Sequence, residues 1–185
     1  MTVKILLSGF GGQGILAMGK MYAQAASDSN RNVTSMPFYE GSMRGGAANT
    51  YLIVSEDRIR CPVISCGTAD MVVAMYQRAA NEYGDFALPS GLVLVNTDLV
   101  DELPETRGAK LVRVPVNTIA AGLKNERSAN IVMLGAMAAC SDAVSAEAIK
   151  NVIRAKFAQK HPEHLESNLA AFDAGYACAK EELVG

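Results

Sequence analysis

Apolar positions change their period along this chain, and each change marks an element. Val3-Lys4-Ile5-Leu6-Leu7-Ser8 is a nearly continuous apolar run, the pattern of a buried strand. After a glycine-rich break, Ile15, Met18, Tyr22 and Ala25 recur at helical spacing. The polar cluster Ser27 to Asn32 ends that helix, and Asn32 to Met36 reads as a second strand, parallel to the first and completing a βαβ unit if it lies beside it. Two β-rich runs, Asn49 to Val54 and Arg58 to Cys61, flank Ser55-Glu56-Asp57 and predict an antiparallel hairpin. Further strands are expected at Asp70–Met75, Gly91–Asn96 and Lys110–Val114, the last stopped by Pro115. A helix from Tyr76 to Tyr83, ended by Gly84, separates the first two of these.

From there the chain turns helical. Ser128 or Asn130 caps a helix through Cys140 whose Ile131, Val132, Met133, Leu134, Ala136 and Met137 leave almost no polar face. Such a helix is buried on all sides, and Gly135 with the alanines allows close approach. Ser145 caps a helix with Ile149, Val152, Ile153 and Phe157 on one face, and Leu165, Leu169, Phe172 and Tyr176 line a last one. The sum is an α/β fold: a mostly parallel sheet with an antiparallel hairpin and helices on both faces, in a single domain over residues 1–185.

Composition narrows the function classes. With 185 residues, 50% hydrophobic and 19% charged, the chain is large enough for one core and is not disordered in character. A net charge of −2 gives no electrostatic case for nucleic acid or an anionic membrane. No apolar run approaches the roughly 18 residues of a membrane helix, and Lys4 leads into glycines rather than a signal core, so a cytoplasmic protein is expected. Cys61, Cys66, Cys140 and Cys178 form no C-x-x-C pair and read as reduced thiols in or near the core. His161 and His164 bracket Pro162 in a polar connector and read as surface residues. Neither a metal site nor a catalytic triad can be argued, and no residue is assigned a catalytic role.

Candidate chemistry sits in two loops. Gly9-Phe10-Gly11-Gly12-Gln13-Gly14 joins the first strand to the first helix with the G-x-G-x-x-G spacing. On that template Gly9 makes a tight turn, Gly11 leaves room for a phosphate, Gly14 permits helix–strand packing, and the helix N-terminus favours an anion. A dinucleotide site further needs a carboxylate at the end of the second strand, where Thr34, Ser35 and Met36 stand instead. That absence counts against NAD. The second loop, Pro37 to Ala48, carries Arg44-Gly45-Gly46: a fixed cation beside exposed backbone N–H groups, suited to carboxylate or phosphate, or simply an exposed turn. Leaving successive strands of an open sheet, the two loops would share the strands' carboxyl ends, where ligands bind.

These stretches in combination resemble the gamma subunit of 2-oxoacid:ferredoxin oxidoreductases. The resemblance rests on Gly9-Phe10-Gly11-Gly12-Gln13-Gly14 and Met43-Arg44-Gly45-Gly46, then Cys61-Pro62 before Ala69-Asp70-Met71-Val72-Val73-Ala74. Asn130 to Ala136 and Asn168 to Tyr176 extend it over nearly the whole chain. It implies a Rossmann-like α/β subunit of a complex that oxidatively decarboxylates a 2-oxoacid, such as pyruvate, to acyl-CoA. Thiamine diphosphate, magnesium and iron–sulfur clusters would reside in the alpha and beta subunits and a ferredoxin-like delta subunit, with ferredoxin as electron acceptor. The gamma subunit would serve assembly and the side from which coenzyme A enters; alone it could form a homodimer with an uncovered interface. Gly9, Gly11, Gly12, Gln13 and Gly14 with Arg44, Gly45 and Gly46 are the candidate anion-binding edge. A stand-alone NAD- or flavin-dependent oxidoreductase and a nucleotide-binding regulatory module remain as alternatives.

Overall fold

The computed structural model describes residues 1–40 and 46–184, and for Gln159 and Lys160 the backbone path alone. Six strands form one sheet: β1 (Thr2–Phe10), β2 (Asn32–Tyr39), β3 (Ala47–Ser55), β4 (Ala69–Ala74), β5 (Ala87–Asn96) and β6 (Lys110–Val114). Their order is β2-β3-β1-β4-β5-β6. The pairs β1–β4, β4–β5 and β5–β6 are parallel, while β3 runs antiparallel to both β1 and β2.

Two expectations fail here for a shared reason. The second strand does not lie beside the first, because β3 is inserted between them. The hairpin is formed by β2 and β3, not by residues 49–54 with 58–61. β3 is buried along almost its whole length and so takes an interior place, with both of its edges paired. No edge then remains for Arg58 to Cys61; Arg58, Arg60 and Cys61 are exposed. β2 is mostly exposed and contains Pro37, which cannot donate to a ladder and suits an outer strand. Pro37 to Tyr39 and Ala47–Ala48 thereby belong to strands instead of the loop.

The helices are α1 (Ile15–Asp28), α2 (Gln77–Tyr83), α3 (Val116–Gly122), α4 (Ala129–Ala139), α5 (Ala146–Lys160) and α6 (Leu165–Val184). They occupy both faces of the sheet, but unequally. One face buries Ile5, Leu7, Leu52, Val73, Leu94 and Val112 beneath α1 and α3–α6. The other buries Leu6, Ile53, Val72, Val93 and Val95 beneath α2 and a connector carrying Ile64. α3 was not read from the sequence; it has seven residues, of which Val116 and Ala120 are buried. α4 is enclosed as its composition requires, and a Cβ on its Gly135 would collide with the carbonyl of Phe172 on α6. Reciprocally, a Cβ on Gly175 of α6 would collide with the carbonyl of Val132. Ser145 caps α5 as expected, its Oγ accepting from the Ala148 N–H at 3.2 Å. Ser128 does not cap α4: its hydroxyl donates to the Asn125 carbonyl at 2.6 Å.

Candidate functional site

From the carboxyl end of β1 the chain leaves through α1 toward the β2 side, and from β4 it leaves through α2 toward β5. The crevice between the ends of β1 and β4 is thus where the strand order reverses, the usual ligand position in an open α/β sheet. Protein fills the crevice itself. Gln13 Oε1 accepts from the Phe10 N–H at 2.9 Å, and its Nε2 donates to the Met75 carbonyl at 2.9 Å. That carbonyl also accepts from Asn96 Nδ2 at 3.2 Å, so one oxygen ties together the ends of β1, β4 and β5. Phe10 and Tyr76 pack edge-to-face above it, with ring centroids 5.4 Å apart. On the β3 side Ser8 Oγ donates to Asn49 Oδ1 at 2.6 Å, and Asn49 Nδ2 donates to Tyr83 Oη at 2.9 Å. Partial burial and the neighbouring Glu82 push the Tyr83 phenol well above its ordinary range, so it stays a neutral hydrogen-bonding group.

Beside the filled crevice lies an open cleft of about 350 Å³. It is bordered by Phe10, Gly11, Gly12, the first turn of α1 and Tyr39. α1 has Gly14 at its N-cap with no side-chain acceptor, and no acidic residue in its first turn, so its leading N–H groups and positive dipole end carry no protein counter-charge.

The candidate residues take distinct places around this cleft. Gly12 and Gly14 hold the left-handed backbone, with φ of 106° and 75°, and a Cβ on Gly12 would meet nothing within 4 Å. Gly9 makes no tight turn; it lies in β1, where a Cβ would strike Gln13 and Ile15. Gly11 N–H donates to the Gly46 carbonyl at 2.9 Å, and Glu40 N–H donates to the Ala47 carbonyl at 2.9 Å. The glycine turn and the base of the second loop are therefore joined by hydrogen bonding. Arg44 and Gly45 lie outside the described residues. Gln13 is spent on the clamp to Met75. Tyr39, missed as a site residue, stands with its hydroxyl 2.9 Å from where a Cβ on Gly11 would lie. Its signal was available in the strand pattern, had β2 been extended past Pro37.

The longer β2 also bears on the dinucleotide question. Glu40 follows the strand directly, yet it faces Arg78 at 3.6 Å, and β3 separates β2 from the glycine strand. A ribose held from β1 would have to reach across β3 to meet it. The cysteines divide: Cys61 and Cys66 are exposed, contrary to expectation, while Cys140 and Cys178 are half-buried. The connector that holds Cys61 and Cys66 sends Ile64 into the core of the thin face and leaves both thiols outside. Burial pushes the Cys140 thiol up to about 11. Among the described residues, no three His, Cys, Asp or Glu side chains gather. No helix among them is long and apolar enough to cross a membrane.

The fold and this strand-end edge define an α/β protein with a glycine turn at the reversal of strand order. The family model for pyruvate ferredoxin/flavodoxin oxidoreductase matches residues 4–178. The 2-oxoglutarate synthase subunit KorC of Methanocaldococcus jannaschii is 36% identical, covering 98% of this chain and 96% of that protein. The gamma subunit of a keto/oxoacid ferredoxin oxidoreductase from Geobacter sulfurreducens superposes with a TM-score of 0.81 at 30% identity, over 99% of both chains. A 2-oxoglutarate:ferredoxin oxidoreductase from Magnetococcus marinus gives a TM-score of 0.87 at 28% identity, over 97% of this chain but 31% of that one. The chain belongs to the pyruvate ferredoxin/flavodoxin oxidoreductase family, as a gamma subunit of a 2-oxoacid:ferredoxin oxidoreductase. Such a chain works as one subunit of a multi-subunit oxidoreductase whose electron acceptor is ferredoxin.

Proposed function

We propose that residues 1–185 act as one gamma-type domain whose strand-end edge binds a phosphate of coenzyme A during oxidative decarboxylation of a 2-oxoacid. The observation that carries this is the joining of the two loops, Gly11 N–H to the Gly46 carbonyl at 2.9 Å, beside the uncapped N-terminus of α1. In this reading Gly11, Gly12 and Gly14 present backbone to the anion and Arg44 supplies a bidentate cation. Gly9 and Gln13 hold the turn's shape, and Gly45 and Gly46 offer further backbone N–H groups to the anion. A Cβ on Gly46 would collide with the Glu40 carbonyl, so the backbone there has room for glycine alone. The Magnetococcus marinus enzyme, solved with coenzyme A bound, supports this choice of ligand.

Thiamine diphosphate, magnesium and the iron–sulfur clusters are assigned to alpha, beta and ferredoxin-like delta partners. The four cysteines of this chain are separate free thiols and do not make the ligand set of an iron–sulfur cluster. Coenzyme A supplies the acyl-accepting thiol; this chain's part is to hold its phosphate end. Docking of a partner carboxylate on the same edge is a second reading, favoured by Tyr39, which borders the cleft and is 55% exposed. Arg44→Ala in the assembled complex separates them. The first predicts an apparent KM for coenzyme A raised about tenfold or more with assembly intact, the second a loss of co-purification. An unchanged KM in an intact complex overturns the ligand role.

A further inference from the structure

On the helical face, a groove of about 790 Å³ opens between the α3–α4 connector and the α5–α6 connector. Its floor is apolar, made by Met21, Ile131 and Phe157, the first two almost fully buried. Lys124 and Arg127 of the α3–α4 connector and Lys156 of α5 line it, and Glu126 is the sole carboxylate among its lining residues. On a chain with a net charge of −2, this concentration of cations runs against the average. Asn130 separates the groove from the glycine turn, its side chain packed where a Cβ on Gly14 would lie.

The backbone at Lys124 adds a second, independent fact. α3 ends in a Schellman arrangement: Lys124 N–H donates to the Ala121 carbonyl at 2.9 Å and Asn125 N–H to the Ala120 carbonyl at 3.0 Å. The residue after the C-cap must then be left-handed, a place glycine normally fills, and Lys124 holds it with φ of 56°. Retaining a lysine at a position that strains its backbone points to a use for its side chain. Among the described residues, neither the Lys124 ammonium nor the Arg127 guanidinium has a hydrogen bond or ion pair.

We propose that this groove binds an organic phosphate of nucleotide size, its phosphates held by Lys124 and Arg127 and its apolar or aromatic portion lying on Met21, Ile131 and Phe157. Volume and lining match a small-molecule site: a mostly apolar bed with a few converging charges. The site is distinct from the strand-end edge and stands whether or not that edge holds coenzyme A.

The test is calorimetric titration of the full chain with ADP and with inorganic pyrophosphate. ADP should bind about tenfold or more tighter than pyrophosphate, because only ADP covers the apolar floor. Lys124→Gly should weaken ADP about tenfold while raising Tm by about 2–4 °C, since glycine relieves the left-handed backbone. Arg127→Ala should weaken ADP without raising Tm. The proposal is overturned if ADP does not bind, if ADP and pyrophosphate bind equally, or if both variants bind ADP as the native chain does. ADP binding lost in Arg44→Ala but kept in Lys124→Gly would place the ligand at the strand-end edge and overturn it as well.

Discussion

Two sets of glycines in this chain answer opposite demands. Gly135 and Gly175 have ordinary helical backbone but no space, for each faces a carbonyl of the opposing helix. Gly12 has open space on all sides but a backbone φ of 106° that side chains rarely adopt. The first pair sets the distance between α4 and α6; Gly12 leaves its backbone uncovered at the edge of a cleft. A packing glycine is required by its neighbours, and a turn glycine by its own torsions and by what must approach it.

Replacing each by alanine sharpens the contrast. Gly175→Ala puts a methyl group against the Val132 carbonyl, which α4 can relieve only by moving bodily. The expected loss is about 3 kcal/mol or more, read as a drop in urea midpoint and Tm. A native-like Tm would mean that the two helices slide apart freely, and the comparison would collapse. Gly12→Ala meets nothing and carries only torsional strain, about 1–2 kcal/mol. The same denaturation curves should show it folded and clearly more stable than Gly175→Ala.

The smallest effect is expected far from both sets, at Glu56. Hydrogen bonds from the Met1 ammonium and from Arg31 hold its carboxyl down to about 2, against an ordinary 4.5. The carboxylate is thus favoured in the folded chain; its contribution is complete above about pH 4.5 and lost as pH falls toward 2. Because the pair is solvent-exposed the effect is slight. Tm measured across that window should fall less steeply with acidification in Glu56→Gln than in the native chain.

Local pattern revealed much of this architecture. Ile5 to Leu7, Val93 to Val95 and the enclosed residues of α4 announce their elements because burial on both sides leaves no polar position. The place of β3 was not legible, since strand order is decided by competition among distant edges. Arg58 to Cys61 looks as much like a strand as Asn49 to Val54 until both edges of β3 are taken. At the strand-end edge, spacing identified the glycine turn but misassigned its parts. Which glycine turns and which packs depends on Gln13 reaching Met75, a contact spanning 62 positions. The groove was invisible for the same reason: its lining comes from α1, the α3–α4 connector, α5 and the α5–α6 connector, segments far apart in the chain.

The central place of β1 has a consequence during synthesis. Leu7 is paired to Val73 by the parallel ladder, so its final neighbour is made about 66 residues later. At about 5–20 residues per second, that is about 3–13 seconds. Through that interval Ile5, Leu6 and Leu7, fully covered in the finished fold, emerge with neither flanking strand yet complete. The nascent chain therefore offers an apolar strand with two open edges to the ribosome surface and to chaperones, and the antiparallel β3 is the first partner able to cover one of them.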